Sequence, residues 1–255
     1  MFVADYSFFQ HQHEKISHPV YFRGEGPPVI VMHELPGMVP ECLAFAERLE
    51  AAGFSVYLPL FFGKPGQSPA FVGPFLTVCI RREFSIFAKK QTSPVVNWLR
   101  SLCQHLYAEH GGKGVGAIGM CMTGGFAIPM MVEPSLVAPV LSQPATPPNL
   151  GKSYQTAFGC SEEDLAHARH RAQTENIPIK AYRFSQDKLV PRARMEAYQA
   201  YFGEYFQYQE LDCARQKPYG KGCHSVFTLD YVDEPGHPTQ EALQDLIEYL
   251  KKQLI

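Results

Sequence analysis

Several broad classes of protein are excluded by what this chain has little of. It holds seven cysteines in 255 residues, with no Cys-x-x-Cys pair and no repeated cysteine spacing. That argues against a disulfide framework and against a zinc finger or ribbon, and fits reduced thiols in a cytoplasm. Charge of neither sign dominates: 23 Lys and Arg stand against 25 Asp and Glu, for a formal net charge of −2. Nothing there points to a nucleic-acid or anionic-membrane partner. The longest apolar runs, such as VIVM and FAIPMMV, fall far short of the ~20 residues of a membrane span. The opening MFVADYSFFQHQHEK carries an acid and lacks the basic stretch of a signal peptide. There is no internal repeat and no low-complexity tract. What is present is an ordinary globular composition, 45% apolar and 19% charged, ample for a sizeable core. The expectation is a single domain over residues 1–255.

Apolar runs of strand length alternate with stretches of helical periodicity, which predicts an α/β fold: a mostly parallel sheet flanked by helices on both faces. Strands are expected at 27–35 and 54–62, around a helix at 40–53 that has proline near its start and glycine just past its end. Residues 63–80 are rich in Pro and Gly and read as irregular. A helix at 93–112, closed by glycine, leads into a strand of small residues at 114–120. A helix at 123–133 and a strand at 136–145 follow. The acidic first turn of 161–175 suits a surface helix, and its His167 and His170 suit solvent. Residues 177–187 read as a strand ending in Asp187, 192–203 as a helix, 205–212 as a strand and 239–254 as the last helix. In that helix Leu243, Leu246, Ile247, Leu250 and Leu254 form one apolar stripe.

Gly114, Gly116 and Gly119 spell G-x-G-x-x-G, but they lie inside the predicted strand and a helix precedes them, which is the wrong setting for a dinucleotide site. Gly119-Met120-Cys121-Met122-Thr123-Gly124 instead loosely resembles a nucleophile elbow with Cys in place of Ser and one extra residue before the second glycine. A sharp strand-to-helix turn would lift Cys121 above the sheet edge, and the N-terminus of the following helix would favour a thiolate and an oxyanion. The competing reading of Cys121 is a small buried filler. In the chain order nucleophile, acid, base, Asp187 in SQDKLVP is the candidate acid. His224 in GCHSVF and His237 in EPGHPT are the candidate bases, His237 if SVFTLDYV forms the final strand. His11, His13 and His18 near the start are read as solvent-facing rather than as metal ligands.

Four patches in order, VIVMHELPGM, GMCMTGG, SQDKLVP and CHSVF, resemble the dienelactone hydrolase family of the α/β-hydrolase superfamily, over about residues 25–254. The resemblance places His224 ahead of His237. It implies Cys121 as nucleophile, His224 as general base and Asp187 as its orienter. It also implies Glu34 as first acceptor of the thiol proton and the N–H groups of Leu35 and Met122 as an oxyanion hole. Family members that cleave dienelactone hold the substrate carboxylate with arginines. Arg81 or Arg82 would supply one, but Thr228 stands where the other is expected. The implied activity is therefore hydrolysis of a small activated ester or lactone, with no cofactor and no metal. The alternatives are a non-catalytic binding protein on the same fold, or a thiol redox sensor using Cys121.

Overall fold

The computed structural model describes residues 5–67, 83–212 and 222–255. Eight strands form one sheet in the order β1-β2-β4-β3-β5-β6-β7-β8. They are β1 (Ser7–His13), β2 (Ile16–Arg23), β3 (Pro28–Met32), β4 (Ser55–Pro59), β5 (Val115–Met120), β6 (Leu136–Ser142), β7 (Ile179–Phe184) and β8 (Phe206–Leu211). From β4 to β8 every neighbouring pair is parallel. β1 and β2 form an antiparallel hairpin, and β2 runs antiparallel to β4 at one edge. The longer helices are α1 (Pro40–Ala51), α2 (Pro94–His110), α3 (Glu162–Thr174), α4 (Arg192–Phe202) and α5 (Pro238–Leu254).

Alternation along the buried strands divides the core. Ile30 and Met32 face the layer of α2, α3 and α4, packing with Trp98, Leu102, Leu165 and Met195. Val29 and Val31 face α1 and α5, packing with Leu43, Phe45, Leu246 and Leu250. Each such fully buried side chain stabilises the fold by roughly 1.5–3 kcal/mol relative to exposure. The small residues of β5 have a packing reason: a Cβ at Gly116 would stand 3.3 Å from the side chains of Leu250, Leu254 and Val29. The predicted stripe of α5 therefore lies directly on the central strand. Ser161 caps α3, its hydroxyl accepting from the Asp164 N–H at 3.1 Å. No helix among the described residues is long and apolar enough to cross a membrane.

Several expectations need correction. The helix expected at 123–133 reduces to a 3-10 turn, Cys121–Thr123, and a single turn, Ala127–Met130. Two consecutive glycines cost helix stability and Pro129 supplies no N–H, so propensity fails where the spacing had looked helical. No long helix dipole is then available at Cys121. Residues 226–230 form turns, and 225–232 hold no strand. The N-terminal hairpin had no sequence expectation at all, and its histidines do not simply face solvent. His18 is buried and pairs with Glu83 at 3.3 Å. His11 is half-buried, packing edge-on to Trp98 and stacking on His105. His167 and His170 are exposed on α3, as expected. Cys42, Cys103, Cys121 and Cys160 are free thiols. Cys223 is disulfide-bonded, so the expectation of reduced thiols throughout does not hold there.

Candidate active site

Parallel strands present all their carboxyl ends on one edge of a sheet, and ligands bind along that edge in open α/β folds. Here Glu34 follows β3, Cys121 follows β5, Gln143 follows β6, Asp187 follows β7 and His224 lies beyond β8. Far apart in sequence, they are brought together by topology alone.

Cys121 leaves β5 with φ of 52°, a left-handed conformation rarely held by a non-glycine residue. The turn is crowded enough to demand its glycines. A Cβ at Gly119 would lie 2.2 Å from the Thr123 carbonyl oxygen, and one at Gly124 would lie 2.5 Å from Pro144 Cα. The Thr123 hydroxyl accepts from the Met120 N–H and donates to the Met32 carbonyl, both at 3.0 Å, tying the elbow to the end of β3. The Cys121 carbonyl accepts from Gly124 N–H at 3.0 Å and Ala145 N–H at 2.8 Å. Cys121 retains 9% of its surface. Cys42, Cys103 and Cys160 sit deeper. Burial pushes all three thiols up, Cys103 and Cys160 to about 12, which keeps them protonated and inert.

His224 is held from two sides. Its Nδ1 lies 2.7 Å from Asp187 Oδ2, and its own N–H donates to Asp230 at 2.8 Å. Its Nε2 is buried without a hydrogen-bond partner and belongs to a cluster with Cys121 and Glu34 whose ligating atoms all lie within 4.8 Å of one another. Burial opposes charge on the imidazole. The Cys121 sulfur and the Asp187 carboxylate more than offset it, so that His224 is pushed up to about 11. Asp187 is buried, and its other oxygen accepts from Leu189 N–H at 2.8 Å and Val190 N–H at 3.2 Å. The buried Arg183 braces the same turn, donating to the Val190 and Ser185 carbonyls at 3.1 Å.

Glu34 is buried beside them. It accepts from Ser225 Oγ at 2.9 Å, from Gln143 Nε2 at 3.3 Å and from the Thr228 hydroxyl. Burial raises its pKa, and the nearby His224 and these three donors only partly oppose that. The preceding residue, His33, is also fully buried, which lowers it to about 4. Its Nε2 accepts from Phe61 N–H at 3.1 Å and its Nδ1 lies 3.2 Å from the Glu34 carbonyl, fixing the loop on which Glu34 and Leu35 stand.

Cys121, His224, Asp187 and Glu34 thus meet in one place. Leu35 and Met122 each adjoin one of them in sequence. His237 stands apart as the N-cap of α5, its ring accepting from the Thr239 N–H. Arg81 and Arg82 lie outside the described residues. Gln143, Ser225, Thr228, Asp230 and His33 were not singled out as members of the site. The one available signal was composition: a buried acid in an apolar strand needs donors, and only the fold shows which ones supply them.

Sheet order, the run of parallel strands from β4 to β8 and a strained elbow at the carboxyl edge define an α/β-hydrolase fold. The model of the dienelactone hydrolase family matches residues 16–207, and the chain belongs to that family. It is a hydrolase by family. A protein assigned as a dienelactone hydrolase from Klebsiella pneumoniae subsp. pneumoniae MGH 78578 is 16% identical, with a TM-score of 0.63 over 97% of this chain and 98% of its own. A dienelactone hydrolase from Anabaena variabilis ATCC 29413 is 14% identical, with a TM-score of 0.62 over 98% and 100%. A cold-adapted esterase from an Arctic intertidal metagenomic library is 15% identical, with a TM-score of 0.59 over 97% and 93%. No curated protein matches the sequence.

Proposed function

We propose that the protein hydrolyses a small activated ester or lactone through a thioacyl intermediate on Cys121. The observation that carries this reading is His224, bridged between the Asp187 carboxylate at 2.7 Å and a cluster containing the Cys121 sulfur. An imidazole oriented through one nitrogen and directed at a nucleophile through the other is the geometry of nucleophilic acyl transfer. In the forward step the thiol proton passes to His224, directly or by way of Glu34, and the sulfur attacks the carbonyl carbon. Backbone N–H groups of Leu35 and Met122 would stabilise the oxyanion. Collapse of the tetrahedral species expels the alkoxide, which takes a proton from His224. A water then gives its proton to His224 and attacks the thioester, releasing the acid and restoring the sulfur.

Thr228 supports a choice of substrate class. Its hydroxyl donates to Glu34, at the position where dienelactone-cleaving relatives are expected to carry an arginine. A neutral ester or lactone therefore suits this pocket better than one with a carboxylate to anchor. No cofactor is needed for this chemistry.

Hydrolysis of p-nitrophenyl acetate by the wild type and by Cys121→Ala tests the reading. The variant is expected to lose about 10³-fold or more in kcat, as removal of a nucleophile does elsewhere. Equal rates would refute it, and peroxide sensitivity with no esterase activity would point to a redox role instead.

A further inference from the structure

Glu34, Cys121 and His224 have a property that acyl transfer does not use. They offer one oxygen, one sulfur and one nitrogen donor, and those three atoms lie within 4.8 Å of one another. Tetrahedral zinc with bond lengths of ~2.0–2.3 Å requires neighbouring donors about 3.4–3.6 Å apart. Side-chain shifts of about 1 Å would meet that requirement. We propose that these three residues form a Zn²⁺ site, and that zinc occupying it blocks the hydrolase reversibly.

Each donor is prepared for a metal. Asp187 takes Nδ1 of His224 at 2.7 Å, and Nε2 is buried with no hydrogen-bond partner. That is the carboxylate–histidine–metal arrangement, in which the outer acid fixes the ring and raises its basicity. Ser225 and Gln143 hold Oε2 of the Glu34 carboxylate and Thr228 holds Oε1, so Oε1, with a single donor, retains capacity for a further bond. The sulfur selects against Mg²⁺ and Ca²⁺, which prefer oxygen ligands, and in favour of Zn²⁺ and its chemical neighbours. Three protein donors leave a fourth position for water. That pattern is often catalytic, but here the metal would occupy both the nucleophile and its base. The binding claim stands on geometry alone, whereas the inhibition claim rests on the function proposed above.

The experiment is titration of Zn²⁺ into the full-length protein by calorimetry. Cys121→Ala, His224→Gln and Glu34→Gln are run beside the wild type, with folding checked by circular dichroism. Co²⁺ is added to the wild type as a spectroscopic probe that needs no variant. One Zn²⁺ per chain is expected, bound about 100-fold or more weakly once Cys121 or His224 is replaced. Co²⁺ is expected to produce a thiolate-to-metal charge-transfer band. Ester hydrolysis should fall with zinc occupancy and return on adding EDTA. Zinc affinity unchanged in Cys121→Ala, or bound Co²⁺ without the sulfur band, would overturn the site. If Cys121→Ala loses zinc but keeps full esterase activity, the site stands and the inhibition claim falls with the proposed catalytic role.

Discussion

Asp187 has both carboxylate oxygens engaged, one by His224 and the other by the amides of Leu189 and Val190. Replacing it with Asn keeps the size but offers His224 the wrong tautomer. Asp187→Asn is expected to lower kcat by roughly 10²–10⁴ with little change in KM, read from steady-state ester hydrolysis. His224 makes a prediction with a sign. Its pKa stands at about 11 in the folded chain against 6.5 for the free side chain. The native state therefore holds a proton that the unfolded chain releases first. The stability this contributes is complete below about pH 6.5 and is lost as pH rises through about 11. Urea unfolding should show the difference between wild type and His224→Gln shrinking steadily above neutrality. At the elbow, Gly119→Ala pushes a methyl group to 2.2 Å from a carbonyl oxygen and should cost about 1–3 kcal/mol in thermal or urea denaturation. Gly125→Ala meets nothing closer than 3.4 Å and should change little. Cys121, Asp187, His224 and Glu34 were legible from residue type, chain order and family likeness. The residues that satisfy Glu34 were not, because hydrogen-bond partners 109 to 194 positions away leave no trace in local sequence.

Among the elements, α4 acts on the site from a distance. Its Arg194 is fully buried and donates to the carbonyls of Pro144, Pro147 and Tyr154. The loop it holds begins at Gln143, in a left-handed conformation (φ 32°), and includes Ala145, whose N–H bonds the Cys121 carbonyl. Arg194→Met would leave three carbonyls unpaired in the interior. A loss of about 3 kcal/mol or more in stability is expected, together with reduced esterase activity in the fraction that remains folded. Periodicity found most of the strands and all five long helices because each buries a continuous stripe or run. It failed where one face is not the deciding factor. Residues 123–133 look helical by composition, yet the turn around Cys121 and the pair Gly124-Gly125 leave room for only one turn of α-helix. The β1–β2 hairpin was missed because its strands are mixed in exposure, with Phe8 63% accessible, so neither alternation nor an apolar run stands out.

At the scale of the molecule, six parallel strands gather four separated loops onto one edge, and the chemistry depends on that convergence. Fold class was legible because alternating strands and helices admit few other arrangements. The metal geometry at the same edge was invisible in sequence, since its donors share no motif spacing and meet only through topology. The measurement that tests the central claim most directly is rapid quenching of an ester turnover followed by peptide mass spectrometry. The account predicts an acyl group on the sulfur of Cys121, formed and discharged at least as fast as the steady-state rate. Turnover with Cys121 unmodified throughout, or with the acyl group on another residue, would contradict it.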